Sequence, residues 1–136
     1  FKVLVDYAHN AHGLNAIGKF IAKIDATVKV GIIAGVGDRR DEDTILLGEY
    51  AARIFDEIII RQDRNLRGKS DQEIIDLMLK GIHNIDKNKK VTVIQKESEA
   101  IDFAIKNAGK GSFIVICSDV VPDALEQIIQ FKEAEG

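Results

Sequence analysis

Five short apolar runs, rich in β-branched residues, alternate with amphipathic stretches, and that alternation limits the possible folds more than any other feature. The runs cover residues 1–5, 28–34, 57–60, 91–94 and 113–117. Between them apolar side chains recur at helical spacing. The first such set is Leu14, Ile17, Phe20, Ile21 and Ile24, with Lys19 and Lys23 on the outer face. Leu47, Tyr50, Ala51 and Ile54 form the second, Ile74, Ile75, Met78 and Ile82 the third, and Ile101, Ala104, Ile105 and Ala108 the fourth. Such a period predicts helices that bury one stripe each. Ser70-Asp-Gln-Glu73 has the spacing of a capping box and marks the start of the third helix. Pro122 suits the first turn of a last helix carrying Leu125, Ile128 and Ile129.

Strands alternating with helices predict an α/β fold: a three-layer α/β/α, Rossmann-like domain with five mainly parallel strands, right-handed crossovers and helices on both faces. Residues 1–136 read as one domain, long enough to bury roughly two thirds of its unfolded surface. In such a sheet every strand-to-helix loop lies at one edge, where ligands bind. The chemically unusual residues fall in those loops. Asp6 ends the first strand, and Tyr7, His9, Asn10 and His12 follow in the turn before a helix N-terminus able to receive an anion. The loops after strands two and three hold Arg39, Arg40, Arg61, Arg64 and Arg67, five of the six arginines. Guanidinium forks grip phosphate and carboxylate in pairs of hydrogen bonds, so an anionic ligand above this edge is expected. The alternative is a set of solvated pairs with Asp38, Asp41, Glu42, Asp43 and Asp63.

Other chemistries find less support. A net charge of −3 and a pI near 5.6 argue against a nucleic-acid or membrane-surface partner. No apolar run approaches the ~20 residues of a membrane span, and the opening strand does not read as a signal peptide. The expectation is a cytoplasmic protein. Cys117, the single cysteine, lies in an apolar strand and reads as a small buried hydrophobe. Asp6, His9 and His12 crowd one turn, and no metal site is expected. His83 reads as a surface residue and Asp119 as a helix cap. Gly35 and Gly37 lack the third glycine of a dinucleotide fingerprint, and no glycine-rich loop ending in Gly-Lys-Ser/Thr occurs.

Asp6-Tyr-Ala-His-Asn10 closely resembles the Asp-Tyr-Ala-His-Asn-Pro signature that opens the C-terminal domain of Mur-type ATP-dependent amide ligases. Gly37-Asp-Arg-Arg-Asp-Glu-Asp43 and Asp63-Arg-Asn-Leu-Arg-Gly68 look like the cyanophycin synthetase branch of that family. The resemblance covers essentially the whole chain. It implies the last domain of a three-domain module in which ATP phosphorylates a substrate carboxylate and an amine attacks the acyl phosphate. In the cyanophycin branch arginine is joined to aspartate side chains of a poly-aspartate backbone. Mg2+ and most of the ATP would be held by upstream ligase domains of the same polypeptide, so this chain alone is expected to be inactive.

By motif position Asp6 would hold the ATP ribose, since a carboxylate accepts hydrogen bonds from two neighbouring hydroxyls. His9 and Asn10 would lie beside the phosphates, His9 in the catalytic position. Arg39, Arg40, Asp63, Arg64 and Arg67 would meet the amino-acid or peptide substrate. Ala11 stands where the family has proline, and Lys69 where a second arginine is expected. The resemblance also implies that strand five lies between strands one and two, with three and four beyond. The chain opens within a strand and without a starting methionine, which suggests a piece of a longer protein. A stand-alone binding module for a nucleotide or anionic metabolite is the alternative, and oligomeric state is left open, a homo-oligomer included.

Overall fold

The computed structural model describes residues 1–6, 11–35, 40–62, 70–117 and 127. Its strands are β1 (Lys2–Asp6), β2 (Lys29–Ile33), β3 (Glu57–Ile60), β4 (Lys90–Val93) and β5 (Phe113–Cys117). The helices are α1 (Ala11–Ile21), α2 (Asp41–Ile54), α3 (Asp71–Ile85) and α4 (Glu97–Lys106). All strand pairs are parallel, in the order β1-β5-β2-β3-β4, which is the order expected. β5 sits between β1 and β2 and is buried at every residue, as its unbroken Phe-Ile-Val-Ile-Cys run requires.

Period-2 alternation sends the strand side chains to two cores. Ile33, Ile58, Ile60, Phe113, Val115 and Cys117 meet Leu14 and Ile21 of α1, Leu47 and Ala51 of α2, and Ile74, Ile75, Met78 and Ile82 of α3. Val30, Ile32, Ile59, Ile114 and Ile116 face the opposite way, onto Ala100, Ile101, Ala104 and Ile105 of α4. Helices therefore cover both faces. Each fully buried Ile or Leu of this kind contributes about 1.5–3 kcal/mol from apolar burial.

Local rules set the helix boundaries. Ser70 caps α3 by accepting the Glu73 amide at 3.2 Å. Its hydroxyl also donates to Glu73 Oε1 at 3.2 Å, a variant of the capping box in which the carboxylate stays on the cap side chain. α2 and α3 approach closely because Gly48 and Gly81 face each other's backbones. A Cβ on Gly81 would overlap the carbonyl oxygen of Ile45, and one on Gly48 that of Met78.

One core expectation fails. Phe20 is 53% exposed, although it keeps helical spacing with its apolar neighbours. The buried stripe of α1 is Ala11, Leu14, Gly18 and Ile21, and Phe20 lies one position off it. Gly18 takes the inward place because Ile54 of α2 presses against it. His83 is exposed and Cys117 buried, both as expected. Of the last helix only Gln127 is among the described residues. It is helical, and its amide donates to the Ser98 carbonyl and to Asp102 Oδ1 of α4 at 2.8 and 2.9 Å. Pro122, Leu125, Ile128 and Ile129 lie outside the described residues, as does Asp119.

Candidate functional site

The register brings the strand ends level. Asp6 pairs with Cys117, Ile33 with Ile60, and Ile60 with Val93, so one carboxyl edge runs across the sheet. Asp6 is half-buried there, five residues before α1 begins at Ala11. The first turn of α1 contains no acid, whereas α2, α3 and α4 each begin with acidic residues. Those acids already offset the positive end of their own helix dipoles. The first turn of α1 carries no such acid of its own.

At the middle of the edge lies a buried charge pair. Arg61, the residue after β3, is 4% exposed, and Glu97, the first residue of α4, is 3% exposed. Arg61 Nη2 lies 3.3 Å from Glu97 Oε2 and donates to the Cys117 carbonyl at 3.3 Å. One guanidinium thus ties the ends of β3 and β5 to the start of α4. The pattern-level expectation that Arg61 joins the anion-gripping arginines is therefore corrected. Its fork is turned into the protein, where desolvation makes a carboxylate partner necessary. Beside it, burial and then the Asp6 carboxylate push the Cys117 thiol up to about 12, with Arg61 opposing. Such a thiol stays protonated and unreactive at neutral pH.

Gln62 organises the other half of the edge. It is 2% exposed. Its Oε1 accepts the Gly35 amide at 3.0 Å, and its Nε2 donates to the Gly35 carbonyl at 3.0 Å. Its own backbone N–H donates to the Gln95 carbonyl, beyond β4, at 2.9 Å. Sequence reasoning missed this residue. The available signal was an amide two residues after the buried Ile58-Ile-Ile60 run, where a polar side chain must find an internal partner.

Of the site residues named from sequence, Asp6 and Arg40 are described. Arg40 is the N-cap of α2 and solvent-exposed. Its Nε and Nη2 donate to the two carboxylate oxygens of Asp43, each at 3.3 Å, and Glu42 lies 3.8 Å away. The hydrogen bonds and charge of Asp43, with Glu42 adding to them, raise the Arg40 pKa. Arg40 thus makes the solvated pair that was the alternative for this loop, with its guanidinium still open to solvent. His9, Asn10, Arg39, Asp63, Arg64 and Arg67 lie outside the described residues. Among the described residues no group of three potential metal ligands occurs, and no helix is long and apolar enough to cross a membrane.

Comparison with known proteins matches this geometry to a family. The Mur ligase, glutamate ligase domain family matches residues 1–120. Cyanophycin synthetase of Geminocystis herdmanii is 41% identical over 131 residues, covering 96% of this chain and 15% of that protein. UDP-N-acetylmuramoyl-L-alanyl-D-glutamate--2,6-diaminopimelate ligase of Caldanaerobacter subterraneus subsp. tengcongensis is 30% identical, covering 99% of this chain and 28% of that one. The chain therefore spans a small part of the length of the curated relatives it matches. A solved ligase of the same name superposes with a TM-score of 0.82 at 21% identity, over 98% of this chain and 29% of that one. Mycobacterium tuberculosis folylpolyglutamate synthase, complexed with ADP and AMPPCP, gives 0.65 at 20% identity, over 93% and 29% of the two chains. These structural likenesses bear out the three-layer, Rossmann-like fold, and the family match covers the sheet, α1 to α4 and the edge that carries Asp6. The chain belongs to the Mur ligase, glutamate ligase domain family.

Proposed function

We propose that this chain is the C-terminal domain of an ATP-dependent amide ligase of the cyanophycin synthetase type, adding arginine to aspartate side chains of a poly-aspartate backbone. The observation that carries the reading is the 41% identity to a cyanophycin synthetase over 131 residues, nearly the whole chain. ATP supplies the phosphoryl group that activates the substrate carboxylate, and the incoming amine displaces phosphate to leave the amide. Asp6 suits the ribose, because a half-buried carboxylate at a strand end presents acceptors to two hydroxyls without spanning to the phosphates. His9 and Asn10 precede α1, whose acid-free first turn favours the phosphate side, and His9 takes the catalytic place there. Mg2+ and the phosphate loop belong in this reading to upstream ligase domains of the same polypeptide, with the whole acting in the cytoplasm.

The substrate loops carry both signs of charge. An arginine substrate has a guanidinium that needs carboxylates, which assigns Asp38, Asp41, Asp43 and Asp63 to amino-acid choice. Arg39, Arg40, Arg64 and Arg67 then face the anionic acceptor. In the complete polypeptide, Asp6→Ala and His9→Ala should each lower kcat/KM for ATP by roughly ten- to a hundredfold, the worth of one charged hydrogen bond at about 1.5–3 kcal/mol. Circular dichroism should stay that of the wild type. Asp63→Asn should raise the KM for arginine far more than that for ATP. Wild-type constants for the Asp6 and His9 variants at limiting and saturating ATP would remove the nucleotide assignment. Equal effects of Asp63→Asn on both substrates would return Asp63 to a structural salt bridge.

A further inference from the structure

The segments that follow Gly35 and Gln62, together with the first turn of α2, carry every residue assigned above to the amino-acid and acceptor substrates. Their roots are joined by a single side chain. Regular pairing of β2 with β3 ends at Ile33 and Ile60, followed by the Arg61 amide donating to the Ile33 carbonyl at 3.0 Å. Among the described residues past that point, the Gln62 side chain joins the two segments. Its amide binds both backbone groups of Gly35, each at 3.0 Å, as a further rung would. Gly35 is fixed from its other side as well. A Cβ there would lie 2.6 Å from Ile74 Cγ2, so α3 closes over the glycine and leaves its backbone little room to move.

We propose that Gln62 is a positioning residue that sets the distance and orientation between the two substrate loops, acting through the Gly35 backbone rather than on any substrate atom. An amide is the side chain the place demands, because it supplies one donor and one acceptor in a plane, matching one N–H and one C=O. A carboxylate has no donor, and alanine has neither group. With a carboxylate the half-buried Gly35 C=O loses its donor, and with alanine both Gly35 backbone groups lose their partner. Asp6 and the start of α1 lie across β5 and β2 from this clamp. The nucleotide end of the site is therefore expected to feel its loss much less than the substrate end.

The proposal rests on the ligase reading, and the test separates the two. Gln62→Ala and Gln62→Glu are introduced into the complete polypeptide, with KM for arginine and for ATP measured separately at a temperature where circular dichroism shows both variants folded. Gln62→Ala should raise the KM for arginine by about tenfold or more while that for ATP stays within about twofold, since small misplacements of binding groups are costly. Gln62→Glu should show the same split at neutral pH. Relative to wild type it should recover as the pH falls, because a buried carboxyl holds its proton and the protonated form regains the donor. A stability defect alone would leave this split between the two KM values absent. An active wild type with unchanged constants in both variants, or with both KM values raised equally, would overturn the positioning role and leave the ligase reading standing. A wild type that forms no amide from ATP and arginine would overturn both.

Discussion

Glu97→Ala should destabilise the domain by about 3–5 kcal/mol, the usual cost of removing one partner from a buried ion pair. Both side chains of the pair are at most 5% exposed, and their charged atoms are 3.3 Å apart. Truncating Glu97 removes the carboxylate that lies 3.3 Å from the buried Arg61 guanidinium. Water cannot enter freely, because Cys117 and the ends of β3 and β5 close around it. Replacing both residues should be far milder than replacing one. An Arg61→Met, Glu97→Leu double variant removes the two desolvation costs together with the attraction, and apolar replacements of buried pairs are often neutral or better. Urea unfolding of the three proteins reads the difference directly. A Glu97→Ala midpoint equal to wild type would mean that the pair is solvated and that Arg61 is available to a ligand after all.

Gly81→Ala carries the second large effect, and its sign is the informative part. In an ordinary exposed helix that change stabilises by about 1 kcal/mol. Here the new methyl overlaps the Ile45 carbonyl, which is backbone and cannot swing aside as a side chain would. The α2–α3 contact must open, and a cost of about 1–3 kcal/mol or more is expected. Gly48→Ala should behave alike, against the Met78 carbonyl. Thermal melts of both variants would show lowered midpoints. A raised midpoint for either would contradict the close helix approach.

The fold was largely legible because its strands are unbroken β-branched runs, and such runs admit few alternatives when helices separate them. The strand order was not legible from pattern. Nothing in a parallel strand names its neighbour, and the order came through the family resemblance. Phe20 shows the limit of hydrophobic periodicity: the inward place on α1 went to Gly18, whose value lies in being small beside Ile54. Arg61 shows the limit of charge counting. A loop-edge arginine looks like a ligand group until burial and Glu97 reveal its direction. Gln62 was missed for a related reason, since its partner is the Gly35 backbone, which no second side chain in the sequence announces. His9, Asn10, Arg39, Asp63, Arg64 and Arg67 are polar positions outside the apolar runs, so hydrophobic patterning does not fix them and they were legible only through charge clustering and motif.

The central claim is that this chain completes an ATP-dependent ligase site whose phosphate-handling parts lie elsewhere in the same polypeptide. The isolated chain has no complete phosphate-loop motif, since its one Gly-Lys-Ser, residues 68–70, has Asp63 where the first glycine would stand, and its described residues contain no cluster of three metal ligands. Phosphoryl transfer needs positioned cations and donors around the transferring group. The most direct measurement incubates ATP, Mg2+, arginine and a poly-aspartate peptide with the complete polypeptide, and in parallel with residues 1–136 alone, following released phosphate and peptide mass. The account predicts arginine-dependent phosphate release and a peptide heavier by one arginine residue per amide formed for the complete polypeptide, and neither for the isolated chain. Steady turnover by residues 1–136 alone, or a complete polypeptide that forms no amide, would contradict it.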